Sequence, residues 1–179
     1  MFTLSKRLFR VNLPVMSYPI KADKVETVAP SAHPVAYDTA DWLVVKHVHG
    51  RIPGTVLAIR GDLDASTYEA VIAKVQELVQ MNEKKLIVDL SEVPAITTAG
   101  LVALHNLARL INGKPATETV NGWGALHEMQ WDREQGLPIQ PKLLAPQPAV
   151  VYALTKSGMN LLFQVCENLD TTIETLGYA

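Results

Sequence analysis

Cysteine is nearly absent. Cys166 stands alone in 179 residues, so no intrachain disulfide can hold the fold together. None is needed, since a chain of this length buries roughly 70% of its unfolded surface. A single thiol fits a reducing compartment, and a cytoplasmic location is expected. Long apolar runs are also missing: nothing reaches the about 18–20 residues that span a bilayer. Neither charge dominates, with 16 basic and 18 acidic residues and a net charge of −2. That balance argues against a nucleic-acid binder driven by bulk charge. There is no Gly-rich phosphate loop, and Ser157-Gly158 lacks the G-x-S-x-G context of a nucleophile elbow. What the chain does have is a hydrophobic content of 48%, a globular composition rather than a disordered one.

Residues 1–39 differ from the rest. They carry Pro14, Pro19, Pro30 and Pro34 and no sustained period. The first 22 residues hold Lys6, Arg7, Arg10 and Lys21 and no acid. Arg10, Asn12 and Pro14 interrupt the apolar stretch a secretory signal would need. The segment reads as a flexible or loosely docked arm, with a short amphipathic anchor through Phe2, Leu4, Leu8 and Phe9 as the other reading. The domain proper is placed at 40–179.

From Asp41 onward the pattern is regular. Trp42 to Val48 reads as a strand, Gly50 and Pro53-Gly54 as a turn, and Thr55 to Arg60 as a second strand, hence a hairpin. Gly61-Asp62-Leu63-Asp64 breaks it. Ser66-Thr67-Tyr68-Glu69 has capping-box spacing, and Val71, Ile72, Val75, Leu78 and Val79 form one helical face behind it. Lys85 to Leu90 is a nearly continuous apolar run, which suits a strand covered on both sides. Leu101, Leu104, Ala108 and Ile111 line the next helix, stopped by Asn112-Gly113. Ile139 to Leu144 reads as a strand, and Pro148 to Ser157 as a helix ended by Gly158. Leu161 to Val165 reads as a last short strand, and Thr171 to Glu174 as the cap of a final helix. Alternating strands and helices imply an α/β sheet with crossover helices.

Residues 114–138 interrupt this alternation with three glycines, two prolines, Trp123 and Trp131. So long a loop is uncommon inside a domain. It is read either as an insertion packed on its own domain or as a flap presenting aromatics to a partner. Trp123, Leu126, His127 and Gln130 could share one side of a short helix.

Three stretches taken in order carry a family resemblance: Gly61-Asp62-Leu63-Asp64, then Leu86 to Val93 (LIVDLSEV), then Thr97-Thr98-Ala99-Gly100-Leu101. Together they resemble the STAS family, the anti-sigma-factor antagonists and related domains of anion transporters and stress-response scaffolds. That family reads G-E-L-D, then D-L-S-x-V, then D-S-S-G-L. The tail from Ala145 through Gly158 to Phe163 resembles it too. The resemblance covers roughly residues 42–176 and implies a mixed, mainly parallel sheet with an N-terminal β-hairpin and packed helices.

It also implies how such a chain works. The second hydroxyl residue of D-S-S-G is the one a partner kinase phosphorylates. With Gly100 aligned, that position is Ala99, which has no hydroxyl, while Thr97 and Thr98 fall on the preceding Asp and Ser. Thr98 is a displaced acceptor of phosphate or a cap of the helix that follows. The resemblance places Asp62, Asp64, Thr97, Thr98, Ala99 and Gly100 on the surface that touches a protein partner, an anti-sigma factor or a serine kinase.

Readings from the residues themselves favour no enzyme. Asp62 and Asp64 suit turn and cap roles better than a catalytic pair or metal ligands. His47 and His49 alternate on one strand face but lack a third ligand. His105 is expected at the surface or boundary of its helix. No cofactor and no metal are expected. Two other functions stay open: a small-ligand or lipid-handling STAS module of a transport system, and a scaffold in a homo-oligomeric signalling complex.

Overall fold

A computed structural model describes residues 41–117 and 122–176 of the chain. The arm at 1–39 lies outside the described residues. In chain order the elements are β1 (Leu43–Val48), β2 (Gly54–Arg60), α1 (Tyr68–Gln80), β3 (Leu86–Glu92), α2 (Thr98–Ile111), α3 (Gly122–Gln135), β4 (Lys142–Leu144), α4 (Pro148–Ser157), a 3₁₀ turn (Met159–Leu162), β5 (Gln164–Cys166) and α5 (Leu169–Glu174). Among the described residues the sheet runs β1-β2-β3-β4-β5. The hairpin β1–β2 is antiparallel and every later pairing is parallel. This is the mixed, mainly parallel sheet with an N-terminal hairpin that the motif order implied.

Strand β3 is covered on both faces, as its unbroken apolar run suggests. Leu86, Val88 and Leu90 point into the main core with Leu57 and Ile59 of β2, under α1 and α2. Ile87 points the other way, where it meets Val56, Leu144 and Leu176, with Ile173 of α5 packed against them. Helix α1 buries Val71, Val75 and Leu78, the face read from the sequence. Helix α4 starts with Pro148 at its first turn and stops at Gly158, whose φ of 71° is the left-handed conformation glycine tolerates.

Three end signals fall elsewhere than expected. The Ser66 hydroxyl does not cap α1: it donates to Asp64 Oδ1 at 2.6 Å, because a carboxylate two residues back is a closer acceptor. Thr67 is the N-cap, with no side-chain bond to the helix amides. Helix α5 starts at Leu169, and its cap is Asn168, whose side chain accepts from the amides of Asp170 and Thr171. The stretch from Leu161 to Val165 divides between the 3₁₀ turn and β5.

Among the described residues of 114–138, helix α3 packs against α2, and polar groups hold it there. His105, expected at the surface or boundary of its helix, is instead fully buried, as is Asp132 of α3. Asp132 Oδ2 accepts from Arg109 Nη1 at 2.6 Å and pairs with His105 Nε2 at 3.0 Å, while Oδ1 accepts from Lys114 Nζ at 2.5 Å. Arg109 also donates to Glu128 at 2.7 Å and to the Pro115 carbonyl at 3.0 Å. Ala125 and Met129 complete the inward face of α3. Leu126, His127, Gln130 and Trp131 lie on its exposed side; the side chain of Trp123 is outside the described residues. Arg133 donates to the Ser157 carbonyl at 2.7 Å and so ties α3 to the end of α4.

Burial pushes the Asp132 pKa up, but the hydrogen bonds from Lys114 and Arg109 outweigh it and hold the carboxyl below its ordinary range. For His105 burial wins over the attraction of Asp132, and the ring is driven toward neutrality. Among the described residues His105 Nδ1 has no hydrogen-bond partner, so a second ring proton would gain nothing.

Helix α2 makes one contact closer than a side chain allows. A Cβ on Gly100 would overlap the Leu63 carbonyl oxygen and lie 2.7 Å from Ile96 Cγ1. Backbone cannot yield there as a flexible side chain could. Gly100→Ala should therefore destabilise the domain by about 1–3 kcal/mol, read as a lower urea midpoint at unchanged slope.

The buried cluster predicts a pH dependence. Both folded pKa values are depressed, so the unfolded chain binds more protons as pH falls. The His105 contribution is complete above about pH 6.5 and declines as pH drops through the lower folded value. The Asp132 contribution is lost in turn below about pH 4. Urea unfolding between pH 8 and pH 3 should show two declines, and His105→Gln should remove the first. Asp132→Asn should cost about 3–5 kcal/mol at pH 7, because it removes the charge that compensates the buried Arg109.

Candidate functional site

The sheet places two loops side by side at the C-terminal ends of β2 and β3. The first is the turn from Gly61 to Ser66, the second the segment from Val93 to Thr97. Gly61 leaves β2 with φ of 82° and donates its amide to the Glu92 carbonyl at 2.9 Å. The left-handed backbone there is a reason for glycine. Leu63 then forms an isolated parallel bridge with Ile96. Its amide donates to the Ala95 carbonyl at 3.1 Å, and its carbonyl accepts from the Thr97 amide at 3.0 Å. The Leu63 side chain is fully buried, so the bridge is anchored in the core.

Around this bridge lie the six residues singled out from the sequence. Asp62 is exposed, and its carbonyl accepts from Thr67 Oγ1 at 3.1 Å. Asp64 is half-buried and builds the local turn: its Oδ1 accepts from the Ser66 amide at 2.7 Å as well as from the hydroxyl. Those two donors hold its carboxyl below the usual carboxylate range. Thr97 is the N-cap of α2 and exposed, though its hydroxyl makes no capping bond. The role of cap thus belongs to Thr97, one residue before the expected Thr98. Thr98 opens the helix and is exposed; Ala99 is half-buried; Gly100 is buried under Leu63. Asp62, Thr97 and Thr98 are thus exposed, Asp64 and Ala99 are half-buried beside them, and Gly100 lies beneath.

The other sequence candidates do not join this surface. His47 lies in β1 with Nδ1 3.5 Å from Glu83, and His49 falls just beyond the strand's end. Ser157 Oγ donates back to the Ala153 carbonyl at 2.8 Å within its own helix. Among the described residues no three His, Cys, Asp or Glu side chains are grouped to hold a metal, and no helix is long and apolar enough to cross a membrane. The sequence reading missed the pairing of His105 with Asp132: His105 stands four residues after Leu101 and three before Ala108, on the apolar side of its helix, but Asp132 lies in no apolar period.

Comparison with known proteins agrees with this architecture. Residues 51–130 match a family model described as "Mlab, STAS domain". No curated protein matches the chain in sequence. Among solved structures, a Thermotoga maritima protein described as an anti-sigma factor antagonist is 14% identical with a TM-score of 0.55. The alignment covers 75% of this chain and 93% of that one. An anti-sigma factor antagonist from Mycobacterium paratuberculosis is 18% identical with a TM-score of 0.50, again over 75% of this chain and 93% of its own. At these identities the likeness is one of fold. The matched segment, the hairpin-led sheet and the paired loops together give this chain the architecture of a STAS domain.

Proposed function

We propose that this chain is a non-enzymatic cytoplasmic regulator that binds a protein partner through the surface around Asp62, Asp64, Thr97, Thr98, Ala99 and Gly100. The observation that carries the reading is the Leu63–Ile96 bridge, which unites the β2–α1 turn with the start of α2 as one surface. The partner class is an anti-sigma factor or a kinase of that kind, supported by what the structural neighbours are described as being. In this reading residues 1–39 are an appended arm and 40–179 the binding domain.

Ala99 gives the proposal its particular form. It stands at the second position of α2, half-buried, with a methyl group where the family pattern carries a phosphorylated hydroxyl. A phosphate there would add about −1.5 to −2 charges. The helix N-terminus would tolerate that charge, so its cost falls on a partner that covers it. Without a hydroxyl the chain acts as a permanently unphosphorylated antagonist.

Substitution separates the two effects. Ala99→Ser should leave stability almost unchanged. Ala99→Asp and Ala99→Glu should fold, with a gain of about 0.3–1 kcal/mol from the helix dipole. Both acids should nonetheless weaken partner binding by several kcal/mol, since they bury an unpaired charge at the contact. The check is calorimetric titration of the partner recovered with the wild-type chain against each variant. Unchanged affinity for the acidic variants would remove this loop from the interface. Mass spectrometry of the native chain should find no phosphate here; stoichiometric phosphate on Thr98 would show the switch displaced by one residue.

A further inference from the structure

At the opposite end of the sheet, below the N-terminal ends of β3, β4 and β5, lies a cleft of about 640 Å³. Its charge is one-sided. Lys84, Lys85 and Lys142 line it, and no Asp or Glu does so among the described residues. Lys84 and Lys85 are exposed and sit just after a tight turn, where Asn82 takes a φ of 64°. The acid of that turn, Glu83, is drawn aside to the Thr55 hydroxyl and to His47.

Lys142 is the unusual member. It opens β4 in register between Ile87 and Gln164, on the sheet face that also carries Leu144. Only 7% of it is exposed. Its Nζ donates to Gln164 Oε1 at 2.5 Å and to Thr175 Oγ1 at 3.3 Å, both neutral oxygens. Among the described residues no carboxylate pairs with it. A buried ammonium is costly unless an anion compensates it, and a methionine would fill the same space without that cost.

We propose that this cleft is a binding site for a small phosphate ester, with Lys142 at its floor and Lys84 and Lys85 at its rim. Three ammonium groups suit a doubly charged phosphoryl group, which lysine binds as a point charge. Leu137, Ile139 and Leu176 form an apolar wall beside them, which suits the carbon portion of an ester better than free phosphate. The volume is that of a small-molecule site. The cleft is remote from the Ala99 surface, so the assignment stands apart from the partner-binding proposal.

The test uses the full chain and three probes: inorganic phosphate, hexyl phosphate, and vesicles containing phosphatidic acid, a phosphomonoester lipid, with phosphatidylcholine vesicles as control. Amide chemical shifts of Leu86, Lys142 and Gln164 should move saturably with hexyl phosphate, which should bind roughly tenfold more tightly than inorganic phosphate. Lys142→Met should weaken binding at least roughly tenfold, and Lys84→Ala with Lys85→Ala several-fold, with little change in Tm for the exposed pair. Hexyl phosphate binding together with sedimentation on phosphatidic acid vesicles but not on phosphatidylcholine vesicles, both lost in the same variants, would identify the ester as a lipid headgroup. Saturable binding of hexyl phosphate without vesicle binding would identify a free ester. No saturable shift at millimolar probe, equal affinity for both soluble probes, or affinity unchanged in both lysine variants would overturn the proposal.

Discussion

The backbone of Leu63 is the contact on which the candidate surface depends. Its amide and carbonyl both bond the segment before α2, and its side chain is locked in the core. Its carbonyl also sets how near α2 can come, and only a residue without a Cβ fits at Gly100. These constraints act together. The turn after β2 cannot move without shifting the first turn of α2, so the exposed groups of both loops keep one mutual geometry. A binding surface built this way loses little conformational entropy when a partner covers it.

Helix α2 joins that surface to the rest of the domain and has two different faces. One is apolar and packs on the sheet through Leu104, Leu107 and Ile111. The other carries His105 and Arg109 and receives the insertion through Asp132. Burying these charges is tolerated because the carboxylate satisfies three donors at once and Arg109 finds further acceptors in Glu128 and Pro115. Such a network adds less net stability than an apolar contact of equal size, yet it is intolerant of losing one member. It positions α3 on α2 while leaving Trp131 and Leu126 exposed.

The two ends of the sheet differ in chemistry because of the connections made there. At the C-terminal ends of β2 and β3 the loops are short and mutually bonded, and they present small side chains. At the N-terminal ends the chain enters β3 and β4 from turns that bring three lysines together without an acid among the described residues. One end presents two mutually bonded loops and the other a charged recess.

Local pattern in the sequence was enough to identify the hairpin, α1, β3, α2 and α4, because each has a period or an end signal within a few residues. Val71, Val75 and Leu78 mark their helix by spacing, and Pro148 and Gly158 mark both ends of α4. The family resemblance, rather than any local period, singled out Asp62 through Gly100, and the fold brings those residues into two neighbouring loops. Tertiary structure alone decided the burial of His105, Asp132 and Lys142. A polar side chain is buried only when its partner arrives from elsewhere in the chain, 27 residues away for His105 and Asp132 and 22 for Lys142 and Gln164. No local period records that meeting. Tertiary packing also decided which face of α3 turns inward, since Ala125 and Met129 are selected by the carboxylate between Arg109 and Lys114 rather than by an apolar stripe. The displaced caps have a similar origin: Asp64 and Asn168 offered nearer oxygens than the residues whose spacing matched a capping box, and hydrogen bonds follow distance before pattern.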